Sequence, residues 1–297
     1  MGSFSGPKDW GRLLTAMVTP FAAGGEVDLP AARRLAAHLV DFQRNDGLVV
    51  NGTTGESPTL KHDEKLRLLD AVLEEVGDRA AVLFGASTFD TAESVALTRE
   101  GSEVGSHGIM AVSPYYSKPG QRGLEAHFRA IADATELPVL LYNIQPRSAI
   151  NLETPTLLRL AEIENVVGVK EASGNVMQIQ EVCAAVPDGF RVYSGDDFLT
   201  LPILSVGGHG VVSVAGHVVG DRIADMLDAW FALDPGEAAR AHLALLPAYR
   251  ACFAAPNPVP VKHLLAQRGF GDGSVRLPLV PVDEAERTAV EAPFTSA

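Results

Sequence analysis

The stretch Val166-Val167-Gly168-Val169-Lys170-Glu171-Ala172-Ser173-Gly174-Asn175 puts a lysine where its amine could become a nucleophile. A β-branched apolar run ends on Lys170 and breaks into small polar residues, the pattern of a buried strand followed by a turn. Alternation sets Val166, Gly168 and Lys170 on one face and Val167, Val169 and Glu171 on the other. Among apolar groups the charged form of a lysine is disfavoured and its pKa falls. The free amine can then form a Schiff base with a ketone or aldehyde. The competing reading is a lysine that only ends a strand and carries its ammonium into water.

Other chemistry-bearing residues fall in comparable places. Asn51-Gly52-Thr53-Thr54-Gly55-Glu56-Ser57-Pro58 offers two hydroxyls and several backbone N–H groups between glycines. Such a turn can cradle a carboxylate or phosphate, though a plain glycine turn has the same look. It is not a P-loop, because spacing and lysine are wrong. In Tyr142-Asn143-Ile144-Gln145-Pro146-Arg147 the phenol can relay a proton and the arginine can grip a carboxylate. Ser113-Pro114-Tyr115-Tyr116-Ser117-Lys118-Pro119 carries paired tyrosines, which on a loop often only pack. The acidic pair of Ser194-Gly195-Asp196-Asp197 reads as capping rather than metal binding. His209, in a glycine turn too short for a dinucleotide fingerprint, reads as structural. Nucleophile elbows, zincin helices and Cys-x-x-Cys pairs are absent from the sequence. The remaining set, lysine, hydroxyls, phenol and arginine, suits a carbonyl substrate bearing carboxylates, with no metal or cofactor.

The elements that must hold these groups repeat. Strand-like runs are predicted at Leu13–Pro20, Gly47–Asn51, Ala81–Ser87, Gly108–Pro114, Pro138–Asn143, Val166–Ala172, Arg191–Asp196 and Gly210–Gly216. Helix-patterned segments lie between them. Leu66, Leu69, Leu73 and Val76 form one apolar stripe, with Lys65, Arg67, Asp70, Glu74 and Glu75 largely off it. Thr156–Ile163 and Met177–Val186 have the same mixture. Eight βα repeats read most economically as an α/β fold of the (β/α)8 TIM-barrel type, a doubly wound sheet being the alternative. Each candidate group then stands at the carboxyl end of a strand. Helical patterns at Asp221–Leu233, Pro235–Phe253 and Val261–Arg268 add a C-terminal extension. The expected division is a barrel over residues 1–220 carrying the site and a helical extension over 221–297.

A chain of 297 residues with 46% hydrophobic and 21% charged residues has ample core for this. Its net charge of −13 argues against a nucleic-acid or anionic-membrane partner, though not against a local cationic site. Cys183 and Cys252 make no disulfide framework and no metal spacing. Met1–Gly6 has neither the regions of a signal peptide nor a myristoylation pattern, and no apolar run suffices to span a bilayer. A cytoplasmic location is expected.

The ordered motifs GTTGES (Gly52–Ser57), SPYYSKPGQRGLEAHF (Ser113–Phe128), VVGVKEASGN (Val166–Asn175), YSGDD (Tyr193–Asp197), GGHGVVSV (Gly207–Val214) and NPVPVKHLL (Asn257–Leu265) resemble the dihydrodipicolinate synthase and N-acetylneuraminate lyase superfamily. The likeness is closest to its dihydrodipicolinate synthase branch and runs from about Leu13 through the extension. It implies that Lys170 forms the Schiff base with pyruvate and that Thr53 and Thr54 hold the pyruvate carboxylate. It implies a proton relay of Tyr142, Thr54 and Tyr116, with Tyr116 reaching into a neighbouring subunit. Arg147 would receive the carboxylate of L-aspartate 4-semialdehyde, and Gly195 and Val212 would line the lysine's surroundings. The implied reaction is the entry to diaminopimelate and lysine synthesis, in a homotetramer of tight dimers.

Two departures bear on this. YNIQPR has Gln145 where the synthases usually have proline, which moves to position 146. This keeps open a related pyruvate-dependent aldolase or lyase acting on another 2-oxo acid. A non-catalytic carbonyl-binding regulator would be expected to lack the lysine or its relay. Ser57, His62, Glu93 and Tyr115 match the family's lysine-inhibition site, but Lys65 and Phe89 replace residues that are often His and Asn. An added cation repels an ammonium and phenylalanine offers no amide, so weak or absent inhibition by lysine is expected.

Overall fold

The computed structural model describes residues 9–295, so the Met1–Gly6 segment read above lies outside them. Eight parallel strands close into a barrel in sequence order. They are β1 (Leu13–Ala16), β2 (Gly47–Val50), β3 (Ala81–Gly85), β4 (Gly108–Val112), β5 (Val139–Asn143), β6 (Val166–Glu171), β7 (Arg191–Ser194) and β8 (Gly210–Ser213). Helices α1 (Leu29–Asp41), α2 (His62–Val76), α3 (Thr91–Val104), α4 (Gln121–Ala132), the single turn α5 (Gln145–Ser148), α6 (Thr154–Ala161), α7 (Val176–Ala185) and α8 (Thr200–Ser205) lie between them. After β8 come α9 (Gly216–Phe231), α10 (Pro235–Cys252), α11 (Val259–Ala266) and α12 (Glu284–Glu291). This is the expected (β/α)8 barrel with a C-terminal helical region. None of the helices among the described residues is long and apolar enough to cross a membrane.

Alternation along the strands builds two apolar layers. Leu14, Val49, Leu83, Met110, Leu140, Tyr142 and Val212 fill the barrel. Leu13, Leu48, Val82, Ile109, Leu141, Val169 and Val211 pack outward under the helices. In β6 strict alternation fails at one point. A register shift against β5 between Val139 and Leu140 lets Val166 pack outward, with Val169, while Val167 meets the inner cluster. Past the shift Gly168 pairs with Leu140 and Lys170 with Tyr142, so Lys170 faces inward as expected.

The strands are shorter than predicted, although single backbone bonds run one residue past several of them, as from the Met17 N–H to the Val49 carbonyl and from the Ser113 N–H to the Tyr142 carbonyl. After Ala16 the Val18 N–H donates to His217 Nε2 at 3.0 Å instead of to a strand. Most helix ends have their own chemistry. Asn175 caps α7 by accepting from the Gln178 N–H, and Asp283 and Glu286 form a capping box on α12, a helix the sequence reading left unmarked. Helix α9 begins five residues before the expected Asp221 and kinks at Val219, so the 220/221 division falls inside a helix. On α2, Lys65 is buried rather than off the apolar stripe, because Leu68 and Val72 complete the face that packs inward.

Candidate active site

Lys170 stands at the carboxyl end of β6, 4% exposed, between Tyr142 of β5 and Tyr193 of β7 in the register. Its Nζ lies 4.1 Å from the centroid of the Tyr142 ring. Burial lowers its pKa to about 7; the Asp197 carboxylate opposes this and the Arg147 guanidinium adds to it. The amine is therefore substantially neutral at ordinary pH, as a Schiff-base nucleophile requires.

Space for this side chain is made by Gly195. A Cβ there would sit 3.0 Å from both Cγ and Cε of Lys170 and 2.8 Å from the Ala172 Cβ. Val212 is 1% exposed in the inner cluster. The acidic pair acts on backbone, as its sequence suggests. Asp196 accepts from the Phe198 N–H, and buried Asp197 accepts from the N–H groups of Val214 and Ala215, 3.1 Å each, and from the Ser213 hydroxyl. Asp197 thus fastens the end of β7 to β8; burial raises its pKa, and these three hydrogen bonds oppose that and favour the carboxylate that acts on Lys170. Glu171, on the opposite face, accepts from Asn143 Nδ2 and the Ser173 N–H, which fixes the strand end beside the lysine. His209 precedes β8 at the other end of the barrel, with its ring edge-on to Tyr193.

Burial raises the Tyr142 phenol to about 12, so it keeps its proton near neutrality. The relay differs from expectation in one member. The hydroxyl paired with Tyr142 is that of Thr53. Thr54 is turned into the protein, where its Oγ1 accepts from Asn257 Nδ2 at 2.9 Å. In a glycine-flanked turn neighbouring side chains diverge, and sequence alone does not say which one faces the phenol. Thr53, and not Thr54, is in contact with the buried tyrosine.

A cavity of about 200 Å³ opens over this end of the barrel, lined by Thr53, Ser87, Met110, Tyr142, Ile144 and Arg147 among others. Its wall surface is mostly apolar, and Thr53, Ser87, Arg147 and Ser148 set polar groups into it, a make-up that suits a small polar ligand. Arg147 makes no ion pair among the described residues. The displaced proline leaves it in place, because Pro146 sits in the first turn of α5, where a missing N–H is harmless. The N–H groups of Arg147 and Ser148 both return to the Ile144 carbonyl, at 3.1 and 2.9 Å.

Tyr116 is not brought to this cavity. It is 92% exposed and held at φ 72°, a left-handed conformation uncommon for a bulky side chain. Tyr115 lines the cavity instead and meets Phe89 edge-on at 5.5 Å. Beside it, Lys65 is buried within reach of the Glu93 charge, while His62 is turned away onto Glu100. Ser87 and Met110 were missed from sequence because nothing in their types marks them; Met110 lines the cavity from β4 and Ser87 from the loop just after β3.

Relatives with known names resemble the chain over nearly its whole length. It is 52% identical over 283 residues to the 4-hydroxy-tetrahydrodipicolinate synthase of Moorella thermoacetica, covering 95% of this chain and 97% of that one. The crystal structure of a dihydrodipicolinate synthase from Bacillus anthracis matches with a TM-score of 0.94 at 43% identity, over 97% of this chain and 99% of that one. The DHDPS of Cyanidioschyzon merolae, solved with lysine bound, matches with a TM-score of 0.94 at 42% identity, over 96% and 97% of the two chains. The model of the dihydrodipicolinate synthetase family matches residues 9–297, nearly the whole chain: the chain belongs to the dihydrodipicolinate synthetase family.

Proposed function

We propose that this enzyme condenses pyruvate with L-aspartate 4-semialdehyde to 4-hydroxy-tetrahydrodipicolinate through a Schiff base on Lys170. The carrying observation is a buried amine of near-neutral pKa lying against Tyr142, which lines a cavity together with Arg147, an arginine with no ion pair among the described residues. The Lys170 amine attacks the ketone carbon of pyruvate, whose carboxylate rests in the Gly52–Thr54 turn. Loss of water leaves an iminium, which draws electrons from the methyl group. A methyl proton departs to give an enamine, with Tyr142 and Thr53 carrying protons between the reacting atoms and solvent. The enamine carbon adds to the aldehyde while Arg147 holds that substrate's carboxylate. The substrate's own amine then displaces Lys170 at the former ketone carbon, closing the ring and returning the free lysine.

Tyr116 joins the relay from a neighbouring subunit in this reading, which accounts for an exposed tyrosine in a strained conformation. That role needs a tight dimer, and the family resemblance implies a homotetramer of two such dimers. The barrel does the chemistry and helices α10 to α12 brace it, the expected 220/221 boundary moving to the end of α9. A cytoplasmic setting suits Cys183 and Cys252, both free thiols.

The test is turnover of pyruvate with L-aspartate 4-semialdehyde, followed by reducing the product with excess dihydrodipicolinate reductase, with Lys170→Ala as control. Lysine-dependent turnover supports the reading. A folded protein that traps pyruvate on Lys170 yet ignores the semialdehyde would be an aldolase for another 2-oxo acid.

A further inference from the structure

The turn that faces the substrate is held from outside the barrel. Asn51 and Glu56 bracket it, both in the left-handed region at φ 59° and 56°, where non-glycine residues sit at a cost. Within the turn the N–H groups of Gly55 and Glu56 return to the carbonyls of Gly52 and Thr53 at 3.0 and 3.1 Å. These short bonds do not explain why Glu56 stays left-handed. Its side chain does. Glu56 Oε1 accepts from Lys262 Nζ at 2.6 Å, an ion pair with side chains 3% and 1% exposed, and Oε2 accepts from the backbone N–H of Arg276 at 3.0 Å.

Arg276 is itself anchored on three segments. Its guanidinium donates to both oxygens of Glu64 and to the carbonyls of Thr59 and Gly25, all within 3.0 Å. The ring of Phe21 lies 4.0 Å from Lys262 Nζ and 4.5 Å from the Arg276 guanidinium. A third contact comes from Asn257, whose Nδ2 donates to Thr54 Oγ1. Its Oδ1 is left buried without a partner. An amide so placed costs stability, since buried acceptors are normally paired. With Asn257 filling an acceptor site on Thr54 Oγ1, the threonine proton must point elsewhere, which makes that hydroxyl a donor.

We propose that Asn257, Lys262 and Arg276 are positioning residues for pyruvate: the C-terminal extension clamps the Gly52–Glu56 turn in the shape that receives the carboxylate. This rests on the reading of that turn given above. All three contacts land on one turn, whereas Arg147 stands on α5, a different loop. The clamp should therefore act on the first substrate and not on the second.

The experiment separates these. Pyruvate is titrated into the full-length protein, borohydride traps the Lys170 adduct, and its fraction is read by intact mass; KM and kcat for both substrates and the melting midpoint are measured beside it. A wild-type chain that takes no adduct overturns the site reading itself, before any variant is made. Asn257→Ala removes one hydrogen bond, and half-trapping should need about fivefold to tenfold more pyruvate, with the semialdehyde KM within twofold. Lys262→Met strands a buried carboxylate and is expected to lower the melting midpoint as well. The neutral double variant Glu56→Gln/Lys262→Met should regain the midpoint while its pyruvate requirement stays high, and Lys262→Arg should regain both. Unchanged pyruvate dependence in Asn257→Ala and in the double variant overturns the proposal. So does a parallel shift of both KM values that follows the melting midpoint, because that is what loss of structure alone would do.

Discussion

If burial makes the Lys170 amine reactive, the rate of pyruvate adduct formation must follow a titration near pH 7. The amine is lowered from 10.5 to about 7, chiefly by burial. At pH 7 about half of it is neutral, against about 0.04% for a lysine of ordinary pKa, roughly a thousandfold gain in nucleophile. Between pH 6 and 8 the neutral fraction of Lys170 should rise about tenfold and between pH 8 and 9 hardly at all. An unperturbed lysine would gain about a hundredfold over the first interval and about tenfold more over the second. The assay is quenched flow: protein and pyruvate are mixed at each pH, borohydride stops the reaction, and mass counts the adduct on Lys170. Arg147→Gln removes the neighbouring positive charge and should move the inflection upward. A logarithm of rate still climbing with unit slope through pH 9 would refute the argument, since the amine would then be an ordinary solvated lysine.

The same burial has a cost in stability. The fall from 10.5 to about 7 corresponds to on the order of 5 kcal/mol at pH 7, an upper bound once relaxation is allowed. The unfolded chain binds this proton up to about pH 10.5 and the folded chain only up to about 7, so this term makes stability rise with pH across that window. Lys170→Met should be the more stable protein at pH 7 by denaturant titration and should lose that part of the slope; equal stability would contradict it. Thr53→Val should slow deuterium exchange into the methyl group of bound pyruvate by about a hundredfold, while Thr54→Val stays within about tenfold, measured by proton NMR in heavy water. Lysine should inhibit weakly because Lys65 and Phe89 occupy its expected site; half-inhibition below millimolar lysine would defeat this, and a Lys65→His/Phe89→Asn variant should become more sensitive.

The strands were readable because short runs of Val, Ile and Leu buried on both faces have few other uses, and the reactive lysine because it stands out at the end of such a run. What escaped was geometry that one residue more or less can change. The register shift at Val139 reverses Val166 and Val167 without altering a single residue type. Thr53 and Thr54 are chemically identical, and which one faces Tyr142 depends on backbone angles within the glycine turn. Lys65 looked solvent-facing because a charge on a helix usually is; here α2 packs closely enough against its neighbours to bury it. Arg147 was in doubt because proline had moved in its loop, yet the one-turn helix tolerates Pro146 in its first turn.

Two demands pull against each other at this site. The amine must be desolvated to lose its proton, yet the iminium it becomes is a cation in the same place. Asp197 answers this: its charge opposes the burial of Lys170 without pairing with it, being held by Ser213 and by the N–H groups of Val214 and Ala215. A direct ion pair would fix the ammonium and forfeit the nucleophile. A carboxylate at a distance, fully satisfied by other donors, stabilises the later positive charge at smaller cost to the earlier neutral amine. Gly195 permits the arrangement by leaving room for the lysine stem, which a side chain there would crowd at Cγ and Cε. The lysine's chemistry therefore depends as much on the ends of β7 and β8 as on β6, the strand that carries it.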